Sequence, residues 1–179
     1  MPILGIVASS NYQRVAPDTG AMFPLGMVQV GSGGSASISF TSIPSTYKHL
    51  QLRIMLPTVG DETAMRFNSD SGSNYSRHGL FGNGATASAY GATNQTYDGL
   101  SDSSTQPNVI ITDILDYANT NKYKTTRTLS GRDQNGSGVV ALRSGSWRNT
   151  NAITAITLTV TNSSNFPQYS SFALYGIKG

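Results

Sequence analysis

A strict alternation of apolar and polar residues is the feature that most restricts the fold of this chain. Residues 35–40 read SASISF, residues 48–56 read KHLQLRIML and residues 152–161 read AITAITLTVT. A period of two places successive side chains on opposite faces of an extended strand. We therefore expect three strands, each with one buried face. The inward positions are Ala36, Ile38 and Phe40; Leu50, Leu52, Ile54 and Leu56; and Ile156, Leu158 and Val160.

The rest of the chain favours further short strands over helices. Ser, Thr, Asn and Gly make up about two-fifths of the residues, and these residues are unfavourable inside helices. A four-residue polar loop, ANTN, separates PNVIITDILDY from KYKTTRTLSG, which predicts a β-hairpin. Eight weaker strands are predicted at 22–30, 63–68, 78–82, 86–91, 108–117, 122–130, 137–143 and 171–177.

This pattern predicts an all-β fold in which two antiparallel sheets pack face to face. A jelly-roll-like sandwich is the first choice, with a simpler sandwich or a closed barrel as alternatives. We expect a single domain over residues 16–179, preceded by an arm or first strand over residues 1–15. Two polar segments, 68–79 and 91–107, are predicted to be long loops, acting either as binding surfaces or as solvated crossovers.

The composition excludes several classes of function. The chain has no Cys, which removes disulfides, thiolate metal sites and cysteine nucleophiles. Its net charge is only +3, and its 12 Lys and Arg are dispersed, unlike the concentrated basic face of a nucleic-acid-binding protein. The apolar start MPILGIVASS lacks the cationic region of a signal peptide. We expect a soluble protein without membrane insertion, bound nucleic acid or cofactor.

Catalytic residues are also scarce. Only His49 and His78 could serve as an imidazole base, and neither belongs to a recognised catalytic motif. His49 is predicted on the polar side of a strand, and His78 in a loop. The sequence therefore predicts a protein that is not an enzyme.

The carboxylates do not form a convincing active or metal site. Asp61 and Glu62 are adjacent, so on a strand they would point in opposite directions, and a charged turn is expected. Asp98 and Asp102 could donate oxygens to Ca²⁺, but the spacing of a calcium-binding loop is missing. No metal site is predicted.

Four residues are candidates for contact with a ligand or a partner protein. Trp147 lies between Arg143 and Arg148 and could stack on a sugar ring, although it could equally cap the sandwich core. Tyr97 and His78 lie in the predicted loops. The candidate contact residues are Trp147, Arg148, Tyr97 and His78.

The N-terminal residues 2–8 form an apolar segment with no partner strand nearby in the sequence. Burial of one Ile, Leu or Val side chain stabilises by about 1.5–3 kcal/mol. We expect this segment to pack either on its own domain or, as an assembly arm, on a neighbouring subunit. Its arm residues are Ile3, Leu4, Ile6 and Val7.

Long motifs spread over most of the chain resemble a known family. They are MPILGIVASS, SISFTSIPSTYKHLQLR (37–53), MRFNSDSGSNYSRHGLFGNG (65–84), DYANTNKYKT (116–125), SGSWRNTNAITAITL (144–158) and SSFALYGIKG (170–179). With these motifs the chain resembles small β-rich virion structural proteins of tailed bacteriophages, including cyanophages. The resemblance carries no catalytic residue.

The resemblance implies a non-enzymatic virion component that is assembled in the host cytoplasm. Its first implied role is capsid decoration or cement; the alternative is a head or tail fibre that recognises a host surface glycan. The implied partners are major capsid or tail proteins and further copies of the chain. A trimer is expected by analogy with other phage attachments.

Overall fold

The structure, a computed structural model, describes residues 20–103 and 105–179. The regular elements of these residues are all β-strands, as the abundance of Ser, Thr and β-branched residues predicts. They are β1 (Met22–Gln29), β2 (Ser37–Phe40), β3 (His49–Leu56), β4 (Thr63–Phe67), β5 (Tyr75–Gly82), β6 (Ala87–Gln95), β7 (Asp98–Gly99), β8 (Asn108–Leu115), β9 (Lys124–Gln134), β10 (Ser137–Trp147), β11 (Ile156–Val160) and β12 (Ser171–Ile177).

The strands form two antiparallel sheets, which confirms the predicted all-β sandwich. The larger sheet has eight strands in the order β1-β12-β3-β8-β9-β10-β5-β6, and the smaller has four in the order β2-β11-β4-β7. The jelly-roll connectivity stays a prediction. The arm, with the predicted boundary between residues 15 and 16, lies outside the described residues.

One half of the interior is apolar. The inward side chains of β3 and β12 are aliphatic or aromatic, and they face the inward side chains of β2 and β11. The three strongly alternating segments supply most of this packing, as predicted. The predicted bounds are wrong in two places: β11 begins at Ile156 and not at residue 152, and β2 begins at Ser37, so that Ala36 is exposed and not inward. The fully buried residues here include Leu50, Leu52, Ile54, Leu158 and Phe172.

The other half of the interior is polar. On β9 the inward side chains are Lys124, Thr126, Thr128 and Ser130, all of them buried. Arg143 is 2% exposed and points inward from β10. Buried polar groups are tolerated where hydrogen bonds satisfy them, so this half depends on an internal polar network.

The predicted hairpin over residues 107–131 is confirmed, since β8 and β9 pair antiparallel with Asp113 opposite Arg127. The loop prediction for 68–79 is wrong at its end, because β5 begins at Tyr75. The loop prediction for 91–107 is wrong at its start, because β6 continues to Gln95. Pairing with β10 gives β5 a backbone ladder that outweighs its polar composition. The described residues contain no helix long and apolar enough to cross a membrane.

Candidate functional site

The outward side of the eight-stranded sheet carries an unusual number of exposed apolar side chains. Among the described residues, seven large apolar side chains on this side are between 48% and 73% exposed. Isolated exposed apolar residues are ordinary, but a contiguous group marks an interaction surface. We call this group the apolar face; it consists of Met27, Met55, Leu80, Val109, Leu129, Val140 and Leu142.

Strand register makes the middle of the apolar face continuous. Leu129 pairs with Ile111 of β8 on one side and with Leu142 of β10 on the other, and Leu142 pairs with Leu80 of β5. Directly paired residues share one side of a sheet, and neighbouring strands lie about 4.8 Å apart. Four side chains therefore form an apolar row about 14 Å long across the middle of the sheet.

Beneath this row lies the polar network, with Arg143 at its centre. Its Nη1 donates to Ser130 Oγ at 2.7 Å and to the Leu100 carbonyl at 3.2 Å. Its Nη2 donates to Asp102 at 2.7 Å, and its Nε donates to the Tyr90 hydroxyl at 2.9 Å. With every nitrogen of the guanidinium hydrogen-bonded, Arg143 links four strands or loops in one rigid arrangement.

A second part of the network joins Glu62, Arg77 and Tyr97. Arg77 Nη2 donates to Glu62 Oε2 at 3.1 Å, and Arg77 Nη1 lies 2.7 Å from Glu62 Oε1 as an ion pair without hydrogen-bond geometry. The Tyr97 hydroxyl donates to the same carboxylate at 2.9 Å. The backbone N–H of Glu62 donates to Asp61 Oδ1 at 2.8 Å. Glu62 therefore belongs to the polar network, a role that the prediction of a charged turn does not include.

Asp98 completes the network between these two parts. It is 3% exposed, and Thr126 Oγ1 donates to its Oδ2 at 2.6 Å. Burial raises the pKa of Asp98 to about 6, against the lowering influence of the Thr126 hydrogen bond and of the nearby guanidinium of Arg77. A Cβ at position 145 would overlap the Asp98 carboxylate, which explains Gly145.

The calcium alternative for Asp98 and Asp102 does not fit this arrangement. Asp98 is enclosed and bonded to Thr126, while Asp102 is paired with Arg143. Within the described ranges, no group of three or more His, Asp or Glu side chains is arranged to hold a metal ion. The two carboxylates serve the interior and do not converge on an open site.

Trp147 is buried and does not offer a ring face to a ligand. It is 1% exposed, its Nε1 donates to Asp70 at 2.7 Å, and its ring centre lies 5.5 Å from that of Phe67 and 6.5 Å from that of Tyr75. The sugar-stacking alternative therefore fails for this residue. Trp147 caps one end of the core, the other alternative that its sequence context leaves open.

The other three candidate contact residues do not form a common site with Trp147. Arg148 donates to the Ser73 carbonyl and to Asn94 at 2.7 and 2.9 Å. His78 lies on β5, opposite Gly91 and Ser144, and not in a loop. Tyr97 belongs to the Glu62 cluster. The arm residues Ile3, Leu4, Ile6 and Val7 lie outside the described residues.

Tyr97 also borders a cleft on the outward side of the smaller sheet. The cleft measures about 460 Å³ and runs along β4 and β11. Register places Ala64 opposite Thr159, and Arg66 opposite Thr157, on this side. The cleft is lined by Ala36, Ala64, Arg66, Tyr97, Thr159, Val160, Thr161 and Ser163.

Sequence reasoning misses the inward arginines, although one signal for Arg143 is present. Arg143 shares its side of β10 with Ala141, Gly145 and Trp147. Two small residues beside an Arg leave space for a long side chain within a sheet. The ion pair of Arg77 with Glu62 has no comparable signal, because the partners are 15 residues apart: Arg77 lies on β5 of the larger sheet, and Glu62 directly precedes β4 of the smaller one.

Comparison with known proteins gives little information about this chain. No protein-family model and no curated protein matches it. Among solved structures it is similar to galectin LEC-6 of Caenorhabditis elegans, at 8% identity and a TM-score of 0.36, covering 86% of this chain and 96% of that one. It is also similar to the alginate lyase Aly36B in complex with an alginate tetrasaccharide, at 9% identity and a TM-score of 0.33, covering 88% and 95%. At these TM-scores the likenesses carry no argument about function.

Proposed function

We propose that this chain is a non-enzymatic structural protein of a tailed-phage virion, acting as a capsid decoration or cement protein that docks through its apolar face. The observation that carries the proposal is the continuous exposed row of Leu129, Leu142 and Leu80. Each such side chain is about half exposed, so its burial against a partner contributes about 1 kcal/mol. A sheet with several of these side chains is suited to a broad protein contact.

The polar network supports the same proposal. A docking surface is effective when it does not have to be ordered on binding. Arg143 and Asp98 connect β7, β9 and β10 directly beneath the apolar face. The network thereby holds the strands beneath the apolar face in fixed positions.

The proposed partners are other virion proteins, and the proposed place is the virion, after assembly in the host cytoplasm. Several copies would bind one particle, with a homo-oligomer, a trimer by analogy, as the attached unit. Particle binding stabilises the assembled state by mass action. The arm over residues 2–8 would join neighbouring subunits, so its deletion is expected to lower occupancy.

The experiment is incorporation of the protein into purified phage particles, measured by quantitative mass spectrometry. Two charges placed in the apolar row, Leu129→Glu with Leu142→Glu, are expected to reduce copies per particle at least tenfold, since buried unpaired charge is strongly unfavourable. The matched control places two charges on the exposed side of the smaller sheet, Ser37→Glu with Ser39→Glu, and is expected to leave occupancy unchanged.

Copy number and location decide the role. Hundreds of copies on the head fit a cement protein. A handful at the tail fits the alternative, a fibre module that binds host glycan, for which the cleft beside Tyr97 is the specific observation. The cement proposal fails if particles contain none of the protein, or if the two charged pairs reduce occupancy equally.

A further inference from the structure

The outward side of the smaller sheet differs chemically from the apolar face. It presents short hydroxyl side chains, with Ser39 Oγ 3.2 Å from Thr157 Oγ1 and Thr159 in the next outward row. Because the two outward sides belong to opposite layers of the sandwich, the cleft stays open when the protein docks as proposed. A ligand site here goes beyond the proposed structural function.

Arg66 is the charged group of the cleft. Its Nε donates to the Thr96 carbonyl at 2.9 Å, and its guanidinium carbon lies 5.9 Å from the centre of the Tyr97 ring. Among the described residues no carboxylate lies within ion-pair distance of Arg66, and its terminal nitrogens make no hydrogen bond. Its two terminal nitrogens are therefore available as a planar pair of donors.

The carboxylate that is bonded to Tyr97 does not neutralise Arg66. Glu62 is already ion-paired with Arg77, and its Oε2 accepts hydrogen bonds from both Arg77 and Tyr97. The same contacts fix the Tyr97 ring, so the wall of the cleft is held in place before any ligand arrives. A preformed cleft with one unpaired guanidinium favours an anion.

The remaining lining identifies the kind of anion. Thr159, Thr161 and Ser163 contribute hydroxyl groups, which both donate and accept hydrogen bonds. Ala36 and Ala64 give a small apolar floor. Hydroxyls, an apolar floor and a forked cation correspond to the hydroxyl groups, the C–H face and the carboxylate of an acidic sugar, and the volume of about 460 Å³ is within the usual range for ligand pockets.

We infer that the cleft beside Arg66 and Tyr97 is a binding site for a carboxylate-bearing saccharide, with Arg66 as the carboxylate ligand. The hydroxyl groups of Thr159 and Thr161 hold the ring hydroxyls of the sugar. Tyr97 acts as a positioning residue, since its own hydroxyl is committed to Glu62. In a particle-bound protein this site faces away from the docked sheet.

The test is calorimetric titration of the purified protein with trisaccharides of galacturonic, glucuronic and mannuronic acid, and with their methyl esters. We expect at least one acidic trisaccharide to bind saturably. Its methyl ester should bind about tenfold more weakly or worse, because the ester lacks the charge that Arg66 pairs with. Arg66→Met is expected to weaken binding of the acid by about the same factor. Thr159→Val is expected to weaken it a few-fold.

The matched control is Arg53→Met, which removes the same charge from the opposite sheet. This variant is expected to bind the acidic trisaccharide as the wild type does. If Arg66→Met unfolds at the same midpoint temperature as the wild type, its loss of binding comes from the missing guanidinium and not from a change in the fold. If that midpoint falls, Arg66→Lys, which keeps the charge but not the planar pair of donors, replaces it and is expected to bind more weakly.

Three results overturn the inference. The first is that no acidic trisaccharide binds saturably. The second is that the wild type binds the ester as tightly as the acid, or that Arg66→Met binds the acid as tightly as the wild type does. The third is displacement of the sugar by inorganic sulfate at equal affinity, which reduces the site to a general anion contact. Because purified protein is used, failure here leaves the particle experiment unaffected, and failure there leaves this one unaffected.

Discussion

The β3–β12 region and the β9–β10 region of the larger sheet have the same alternation with opposite polarity. In β3, Leu50 and Leu52 point inward while Gln51 and Arg53 point outward. In β9, Thr126, Thr128 and Ser130 point inward while Leu129 points outward. One sheet thus changes from an ordinary amphipathic surface to an inverted one across β8.

The cause of the inversion lies in the opposite layer. Above β3 and β12 the smaller sheet supplies aliphatic side chains such as Leu158, whereas above β10 it supplies β7 with the carboxylate of Asp98. A buried carboxylate needs hydrogen bonds and nearby positive charge. Thr126 supplies the hydrogen bond, and the guanidinium groups of Arg77 and, to a smaller extent, Arg143 supply the positive charge. The aliphatic residues of β9 and β10 are left outside, where a partner can cover them.

Removal of the inward Arg143 is expected to change the difference between the two regions most. Arg143→Met leaves the Ser130 hydroxyl and the Leu100 carbonyl without their buried donor, so we expect a loss of about 4 kcal/mol in the free energy of unfolding. The same change at Arg53, which lies outward on β3, is expected to cost less than about 1 kcal/mol. Urea titration of both variants measures the difference.

Equal losses for the two arginine variants would contradict this account. They would mean that the polar network does not stabilise the inverted region, and that its buried groups are satisfied in some other way. A larger loss in the free energy of unfolding for Arg53→Met would mean that the outward side chains of β3, and not Arg143, stabilise the sheet.

A leucine pair tests the same contrast with apolar chemistry. Leu52 is 0% exposed and Leu129 is 51% exposed, so truncation to Ala should create a cavity only at the first position. We expect Leu52→Ala to cost about 3 kcal/mol and Leu129→Ala less than about 1 kcal/mol. Chemical denaturation of the isolated protein gives both values, and similar losses would show that Leu129 is already covered in solution.

The sequence predicts the ordinary region well. Alternation in 35–40, 48–56 and around Ile156 reveals both the strands and their buried sides, because apolar side chains there coincide with the inward positions, apart from Ala36, which is exposed. The same rule applied to β9 separates Leu129 from Thr128 correctly. It gives no indication that Thr128 is the buried one, since that depends on Asp98 in the opposite layer.

The candidate sites show the same limit. Trp147 is the most conspicuous residue of the sequence, yet Asp70 and Phe67 hold it inside the core. Arg66 has no distinguishing motif, yet register brings it to an open cleft beside Tyr97. Both outcomes follow from pairings between residues far apart in the chain, which composition and local spacing do not encode.

The pH dependence of unfolding tests the role of the buried Asp98 in the inverted region. The folded-state pKa of Asp98 is about 6, against an ordinary 3.8, so the folded protein holds the proton more tightly than the unfolded chain does. Asp98 therefore contributes stability that is fully present below pH 3.8 and is lost as the pH rises through about 6. At about 1.36 kcal/mol per pKa unit the loss is about 2–3 kcal/mol.

Two variants isolate this contribution in equilibrium unfolding between pH 4 and pH 8. Asp98→Asn cannot ionise, so the part of the pH slope due to this residue should disappear. Thr126→Val removes the hydrogen bond that lowers the pKa of Asp98, so the loss of stability should move to higher pH. An unchanged profile in both variants would show that Asp98 does not titrate in this range.

The smallest effect is expected from the hydroxyl pair of Thr112 and Thr128, which is buried between β8 and β9 with its oxygens 2.9 Å apart. Either single change to Val leaves one buried hydroxyl without its partner and should cost about 1 kcal/mol, whereas the double change removes both hydroxyls and should be nearly neutral. The double-mutant cycle therefore gives a coupling of about 1 kcal/mol. A neutral double variant would show that the interior of the inverted region tolerates apolar residues at this pair, so that its polarity is required at Asp98 and Arg143 and merely accommodated elsewhere. A double variant as unstable as the sum of the singles would instead make the whole inward side of β9 depend on hydrogen bonding.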